Sequence, residues 1–318
     1  LQVLPIIVFF ASLIAVLYHL GIMERLVRLI GGFIQLVLGT SKAESMSAAT
    51  NIFIGQSEAP IAIKPYLSSM STSEIFAVMV GGMATVSGSV LGGYAAAGVD
   101  MRYLIAASFM AAPAGLMMAK LIKPDSSDVS SDDSAVHEDI LAHRAANVID
   151  AAAAGALQGL QLALAIGALL LAFIGLIALI NGMIGWGGSF FGFENLTMQQ
   201  ILGYLFQPVA FLIGVPWEET RQVGSLLGQK FVLNEFIAYL DFVASYQSEL
   251  APRTQAIVTF ALCGFACLSS IAIVVGGIGI LVPERRAEMS RLGFLAVVGA
   301  TLANLMSATI AGLMLTLS

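Results

Sequence analysis

Two glutamates in apolar surroundings, Glu58 and Glu235, are the residues whose chemistry most needs an explanation. A carboxylate at membrane depth costs about 2.5–3.5 kcal/mol at the centre of a helix, even on the milder insertion scales. Each lies among polar neighbours at a predicted helix break, with Gln56 and Ser57 beside the first and Asn234 beside the second. Such a carboxylate can face an aqueous cavity and accept hydrogen bonds from a polar solute. The alternative is a structural pairing with backbone amides or an arginine.

A second set of polar groups could hold a monovalent cation. Broken helices leave carbonyl groups free at their C-terminal ends, and such carbonyls coordinate Na+ in transporters. The set comprises the Asn51 amide oxygen, the Ile54 carbonyl, the Thr85 hydroxyl and the Val86 carbonyl. This would be an uncharged, all-oxygen shell. Hydrogen bonding between helices is the ordinary alternative for Asn51 and Thr85, and composition does not separate sodium coupling from proton coupling.

Catalytic motifs are weak in this sequence. Gly55 to Ala59 half-resembles a nucleophile elbow, but the last glycine is missing and no strand precedes it. HExxH and P-loop patterns are absent. Cys263 and Cys267 lie four residues apart on one predicted helix face, which suits neither a disulfide framework nor a CxxC metal site. The sequence therefore favours transport over catalysis, with a pore-type channel as the rival from another class.

The composition is that of a membrane protein. Of 318 residues, 58% are hydrophobic and only 11% are charged, and the mean hydropathy is +0.91; soluble domains carry about 25% charged residues. The formal net charge of −6 comes largely from one acidic stretch, Asp125 to Asp139, and nothing basic enough to bind nucleic acid is present. We therefore expect an all-α integral membrane protein in a lipid bilayer, built as one multi-span bundle.

Apolar runs place the predicted spans. These are Leu1–Leu20, Met101–Ile122, Leu162–Ile180, Ile257–Leu281 and Leu292–Leu317. The basic joint between the last two favours a cytoplasmic loop there and an external C-terminus. Gly88 and Gly92 have the GxxxG spacing typical of close helix approach.

Two segments interrupt the apolar pattern in corresponding positions. One runs from Asn51 to Pro60 and the other from Gly214 to Phe236, and each is followed by a Gly/Ser-rich stretch. This order predicts two re-entrant helical hairpins in an inverted-repeat transport domain, held by a scaffold domain. The expected divisions are a scaffold span and interfacial helix (1–40), a first transport half (41–123), a mobile acidic linker (124–148), a long scaffold span (149–197) and a second transport half (198–318).

Several motifs together resemble the bacterial concentrative nucleoside transporters. They are Ala43-Glu44-Ser45-Met46-Ser47, Gly55-Gln56-Ser57-Glu58-Ala59-Pro60, Gly214-Val215-Pro216-Trp217, Asn234-Glu235-Phe236-Ile237-Ala238-Tyr239, Phe265-Ala266 with Ser269-Ser270, and Asn304 to Gly312. They run in family order over nearly the whole chain. The resemblance implies sodium-coupled nucleoside uptake across the bacterial inner membrane by a homotrimer with elevator-like movement. Family members normally carry further helices before Leu1, so we expect these to be missing from the sequence.

The resemblance also implies residue roles. The nucleobase would contact Gln56, Ser57, Glu58 and Val90, and the sugar would contact Glu235, Phe265 and Ser270. From spacing alone, Phe265 and Ser270 could equally be packing residues. The sodium site would comprise Asn51, Ile54, Thr85 and Val86. Cys267 stands where the family usually has an asparagine that bonds the ribose, and a thiol is a weak hydrogen-bonding group.

Overall fold

The computed structural model is helical, and the residues it describes are 3–56, 58–125, 145–190, 192 and 196–317. No β-strand occurs among them. The helices are α1 (Val3–His19), α2 (Ile22–Leu38), α3 (Lys42–Asn51), α4 (Lys64–Leu67), α5 (Thr72–Ala84), α6 (Gly88–Ala97), α7 (Met101–Ile122), α8 (Val148–Ser189), α9 (Met198–Leu212), α10 (Thr220–Val232), α11 (Glu235–Asp241), α12 (Pro252–Leu262), α13 (Leu268–Leu281) and α14 (Arg286–Leu317). Ser57 and most of the predicted acidic linker lie outside the described residues.

Long apolar helices confirm the membrane character. Within the described ranges, four helical stretches are long and apolar enough to cross a bilayer: Thr72–Ala97, α7, α8 and Pro283–Leu317. α1 and α2 together form a fifth candidate, but they meet at a bend of 82°. The predicted span 101–122 coincides with α7, and the predicted 162–180 lies inside the longer α8.

The predicted single span Ile257–Leu281 is wrong, because the structure breaks it between Leu262 and Leu268. Gly264 explains the break: a Cβ there would lie 2.3 Å from Asn304 Oδ1 and 2.5 Å from the Ala84 carbonyl oxygen. The chain must therefore leave the helical path so that its backbone can approach α14 and the end of α5.

A matching break separates α5 from α6. α5 begins with a capping box in which Ser71 and Glu74 bond each other's backbone amides, and it ends at Ala84 with extended backbone at Thr85. The amide of Phe265 donates to the Thr85 carbonyl at 3.2 Å, so the two breaks are joined directly. The broken helices thus meet near the middle of the molecule.

α1 packs against α6 and α8 through glycines. A Cβ at Gly92 would lie 2.4 Å from the Phe10 ring, as the GxxxG spacing predicted. Cβ atoms at Gly155 and Gly159 would lie 2.5 and 2.7 Å from Ala15 and Ala11. These helix backbones therefore approach closely, and α1 and α8 together form one wall of the cavity described next.

Candidate functional site

A cavity of about 750 Å³ lies between α1 and α8 on one side and the interrupted helices on the other. Small-molecule sites commonly have volumes of about 300–1,000 Å³. The structure brings eight of the predicted residues to its wall: Ile54, Gln56, Glu58, Val90, Glu235, Phe265, Cys267 and Ser270. Asn51, Thr85 and Val86 do not line this cavity. All three are buried behind it.

The segment after α3 presents amide and carboxylate groups to the cavity. Gln56 Nε2 donates to Ser270 Oγ at 3.4 Å, while Gln56 Oε1 is buried and has no partner among the described residues. Gln158 Nε2, on α8, donates to Glu58 Oε1 at 2.6 Å. This end of the cavity therefore offers hydrogen-bonding groups that a planar polar ring could engage.

The opposite segment places Glu235 at the first position of α11. Asn234 caps that helix by accepting from the Ile237 amide at 2.9 Å. Tyr94, on α6, donates its hydroxyl to Glu235 Oε1 at 3.0 Å. The helix N-terminus and the phenol both favour a negative charge there. Glu235 is thus held in place as an acceptor, although it is only 6% exposed.

Three further predicted residues lie around the break between α12 and α13. Phe265 presents a half-buried ring, and Ser270 is buried in the first turn of α13. Cys267 occupies the N-cap position of α13 without making a capping bond. Its sulfur lies 3.1 Å from Ser269 Oγ and 3.2 Å from Ser270 Oγ. The cavity wall here is an aromatic face beside a cluster of hydroxyl and thiol groups.

Asn51 and Thr85 form a buried, uncharged polar group at the first break. Asn51 is the last residue of α3, is 1% exposed, and has no partner for either side-chain polar atom among the described residues. Thr85 donates its hydroxyl to the Gly81 carbonyl at 3.0 Å, which leaves its oxygen lone pairs available. An unsatisfied buried amide costs about 1–3 kcal/mol, so this position fits a ligand that approaches as a cation.

Charged ligand sets do not compete with this assignment. Within the described part of the chain, no group of three His, Cys, Asp or Glu residues is placed to hold a metal ion. A shell of neutral oxygens is the arrangement that suits a monovalent ion with exchangeable water.

Three residues that contact this machinery escaped sequence reasoning. Tyr94 and Gln158 are ordinary polar residues, and only their folded position brings them to the two glutamates. Lys230 is 3% exposed and donates to the Ala261 carbonyl at 2.8 Å and to Asn304 Oδ1 at 2.7 Å. A lysine within an apolar segment is a signal that could have found it.

Comparison with known proteins agrees with the geometry. Residues 103–312 match the family described as "Na+ dependent nucleoside transporter C-terminus", and residues 1–101 match the family described as "Nucleoside recognition". The nucleoside permease NupC of Helicobacter pylori is 52% identical over 100% of this chain and 76% of its own length. The sodium/nucleoside cotransporter 1 of Rattus norvegicus is 41% identical over 98% of this chain and 50% of its own length.

The same fold occurs in solved structures. The structure of CNTnw in an inward-facing substrate-bound state shares 56% identity and a TM-score of 0.93, and the match covers 99% of this chain and 75% of that one. These relatives are transporters rather than enzymes, and the long apolar helices described above make this chain a multi-pass membrane protein. The chain belongs to the concentrative nucleoside transporter family of Na+-dependent nucleoside transporters.

Proposed function

We propose that this protein imports nucleosides by sodium symport, binding Na+ at the first helix break and the nucleoside in the adjoining cavity. The observation that carries the sodium half is the buried Asn51 amide, which has no partner among the described residues. The Ile54 and Val86 carbonyls complete the proposed shell. The sodium/nucleoside cotransporter of Rattus norvegicus, by its name, performs this kind of coupling.

The nucleoside is proposed to lie across the cavity with its base toward the first hairpin. Gln56 and Glu58 supply acceptors and an amide donor there, and Val90 supplies an apolar surface. Ser57, which lies outside the described residues, belongs to the proposed set by the family resemblance. The ribose then meets the second break. Glu235 accepts from sugar hydroxyls, and Phe265, Cys267 and Ser270 line the same end.

Coupling follows from the shared position of the two sites. A Cβ at Gly82 of α5 would lie 3.1 Å from Gln56 Cβ and 3.8 Å from Asn51 Oδ1, so one patch of α5 supports both residues. An ion that orders Asn51 therefore also orders the segment that carries Gln56. By linkage, nucleoside must tighten Na+ binding by the same factor by which Na+ tightens nucleoside binding.

The larger assembly is also part of the proposal. We propose that the protein forms a homotrimer in the bacterial inner membrane. Each transport domain would move past a scaffold in an elevator-like manner. The long α8 supports this proposal. Its apolar sequence is mostly exposed along the single chain, as expected for a helix that faces lipid and other subunits. The neighbouring solved structures have been obtained in inward-facing and outward-facing states, which supports alternating access.

The decisive experiment measures uridine binding to the purified protein by calorimetry, with Na+ or with choline at equal ionic strength. We expect binding to weaken at least tenfold in choline. Thr85→Ala should shift the Na+ dependence to higher concentrations. Thr309→Ala is the matched control, because Thr309 bonds only a carbonyl of its own helix and lies on an exposed face. Equal uridine affinity in both salts would refute sodium coupling.

Proton coupling is a second candidate because Glu58 and Glu235 both face the cavity. A carboxylate that faces the cavity could bind the coupling proton itself, in place of Na+ bound at the first helix break. Uptake into proteoliposomes separates the two: a pH gradient that drives concentration without Na+ would favour protons. Saturation and counterflow in the same vesicles would distinguish a carrier from a pore.

A further inference from the structure

The second helix break contains a buried positive charge. Lys230 lies near the end of α10, and its ammonium group donates to the Ala261 carbonyl in the last turn of α12 and to Asn304 Oδ1. The ion pairs found among the described residues do not include it. The Glu235 carboxylate acts on it electrostatically without a direct ion pair, so the buried ammonium needs a further source of stabilisation. The carbonyl end of α12, with its negative partial charge, provides one.

Lys230 occupies in the second half the place that Asn51 occupies in the first. Asn51 ends the helix before the first polar tip, and Lys230 is in the last turn of the helix before the second. The separation along the chain from Asn51 to Thr85 equals that from Lys230 to Gly264. Asn51 Oδ1 lies 3.8 Å from the Cβ position of Gly82 in the last turn of α5, and Lys230 bonds the Ala261 carbonyl in the last turn of α12. The first is a neutral amide without a partner among the described residues, and the second is a cation that makes two hydrogen bonds.

We propose that the Lys230 ammonium is a built-in cation that fills the second half's counterpart of the sodium site. The first break would take its positive charge from solution, whereas the second carries one tethered to the chain. This rests on the proposed sodium coupling for its meaning in transport. The placement of a cation against the end of α12 stands on the contacts of Lys230 alone.

Asn304 gives the tethered charge a route to the first break. Its Nδ2 donates to the Ala84 carbonyl at 2.7 Å and to the Cys263 carbonyl at 3.0 Å, while its Oδ1 accepts from Lys230. One side chain therefore bonds the ends of α5 and α12 and the lysine together. A fixed charge at Lys230 holds this junction in one geometry whether or not a nucleoside is bound.

Two substitutions of Lys230 test the proposal. One removes both the charge and most of the side-chain volume, and the other removes the charge but keeps most of the volume. Lys230→Ser leaves room for an ion among the Ala261 carbonyl, the Asn304 amide oxygen and the new hydroxyl. Lys230→Met fills most of the space and leaves the carbonyls without a cation. We expect Lys230→Ser to regain thermal stability and uridine binding as Na+ rises. Lys230→Met should stay impaired at every Na+ concentration.

The readouts are the melting temperature in detergent and the Na+ bound per protein, measured with radioactive sodium. Lys230→Ser should bind one Na+ more than the unaltered chain, and its melting temperature should depend more steeply on Na+. Lys64→Ser is the control, since Lys64 is exposed and its removal opens no buried site. It should gain no additional sodium.

The outcomes separate this proposal from the sodium coupling on which it builds. If the unaltered chain binds nucleoside without Na+, symport fails, yet a cation requirement acquired only by Lys230→Ser would still support a tethered cation. If Lys230→Ser fails to fold at all Na+ concentrations, or matches Lys230→Met in Na+ response, Lys230 is a packing residue and the proposal is refuted.

Discussion

The break between α5 and α6 and the break between α12 and α13 meet at Asn304, which donates to the Ala84 carbonyl on one side and to the Cys263 carbonyl on the other. Their surroundings differ in how buried polarity is satisfied. At the second break, Lys230 completes the hydrogen bonds; at the first, the Asn51 amide has no partner in the described structure. The two breaks therefore differ in whether the chain itself bonds the buried polar groups, and in our proposal the first break takes its cation from solution.

In our proposal, the halves of the molecule that contain the first and the second break therefore have different roles. A site whose buried polar groups bond to other groups of the chain can keep one shape. A site whose polar groups have no such partner becomes more stable when a ligand binds. The first half would then change when the ion binds, and the second half would keep its shape. The change in the first half would move the nucleoside relative to the second half. Substitutions at the two breaks should accordingly alter different measurements.

The largest effect is expected where both breaks touch. Gly264→Ala would place a Cβ within 2.5 Å of the Ala84 carbonyl and closer still to Asn304. Because Asn304 bonds both breaks, we expect a loss of about 4 kcal/mol or more in stability, seen as aggregation in size-exclusion chromatography. Gly276→Ala is the control, since nothing lies within 4 Å of its Cβ position. A monodisperse, active Gly264→Ala would mean that the two breaks are not tightly joined.

Glu235→Ala is expected to have the second-largest effect. It tests the second half of the molecule by measuring how tightly the nucleoside binds. It removes an acceptor that Tyr94 holds in place and that we propose to bind the sugar. Hydrogen bonds to charged groups contribute about 1.5–3 kcal/mol, so uridine affinity should fall about 10- to 150-fold. Tyr94→Phe should lose less, about 0.5–1.5 kcal/mol, because the carboxylate remains.

Glu218→Ala is the control for that measurement. Glu218 is exposed before α10 and does not line the cavity, so calorimetry should show unchanged uridine affinity. Equal losses for Glu218→Ala and Glu235→Ala would place the sugar acceptor elsewhere.

The sequence predicted the membrane class and singled out Glu58 and Glu235, because intramembrane carboxylates are costly unless they have a purpose; the family resemblance supplied the other site residues. Eight of its twelve proposed site residues line one cavity. It failed at the second break, where the run from Ile257 to Leu281 carries no charged residue and only the contact between Gly264 and Asn304 requires an interruption. Partners far apart in sequence, such as Tyr94 with Glu235, had no local signal.

Gly82→Ala should act on the first break alone. Its Cβ would lie 3.1 Å from Gln56 Cβ, so the segment carrying Gln56 must shift by a few tenths of an ångström. We expect about 1–2 kcal/mol of lost binding for Na+ and for uridine together, because the displaced segment carries contacts to both. Gly81→Ala is an adjacent control with nothing within 4 Å of its Cβ. If Gly82→Ala changed uridine affinity equally with and without Na+, the two ligands would not share this support.

The smallest effect, and the only expected gain, is Cys267→Asn at the second break. Cys267 occupies the N-cap of α13 without capping it, and asparagine is among the preferred residues at that position. An amide there could cap the helix or bond the sugar, but a single hydrogen bond contributes only about 0.5–1.5 kcal/mol. Uridine should therefore bind up to about tenfold more tightly. Binding of 2′- and 3′-deoxyuridine should then show which sugar hydroxyl is responsible for the gain. A gain shared equally by all three nucleosides, together with a higher melting temperature, would assign the effect to helix capping, and the sugar contact would then lie with Glu235 and Ser270.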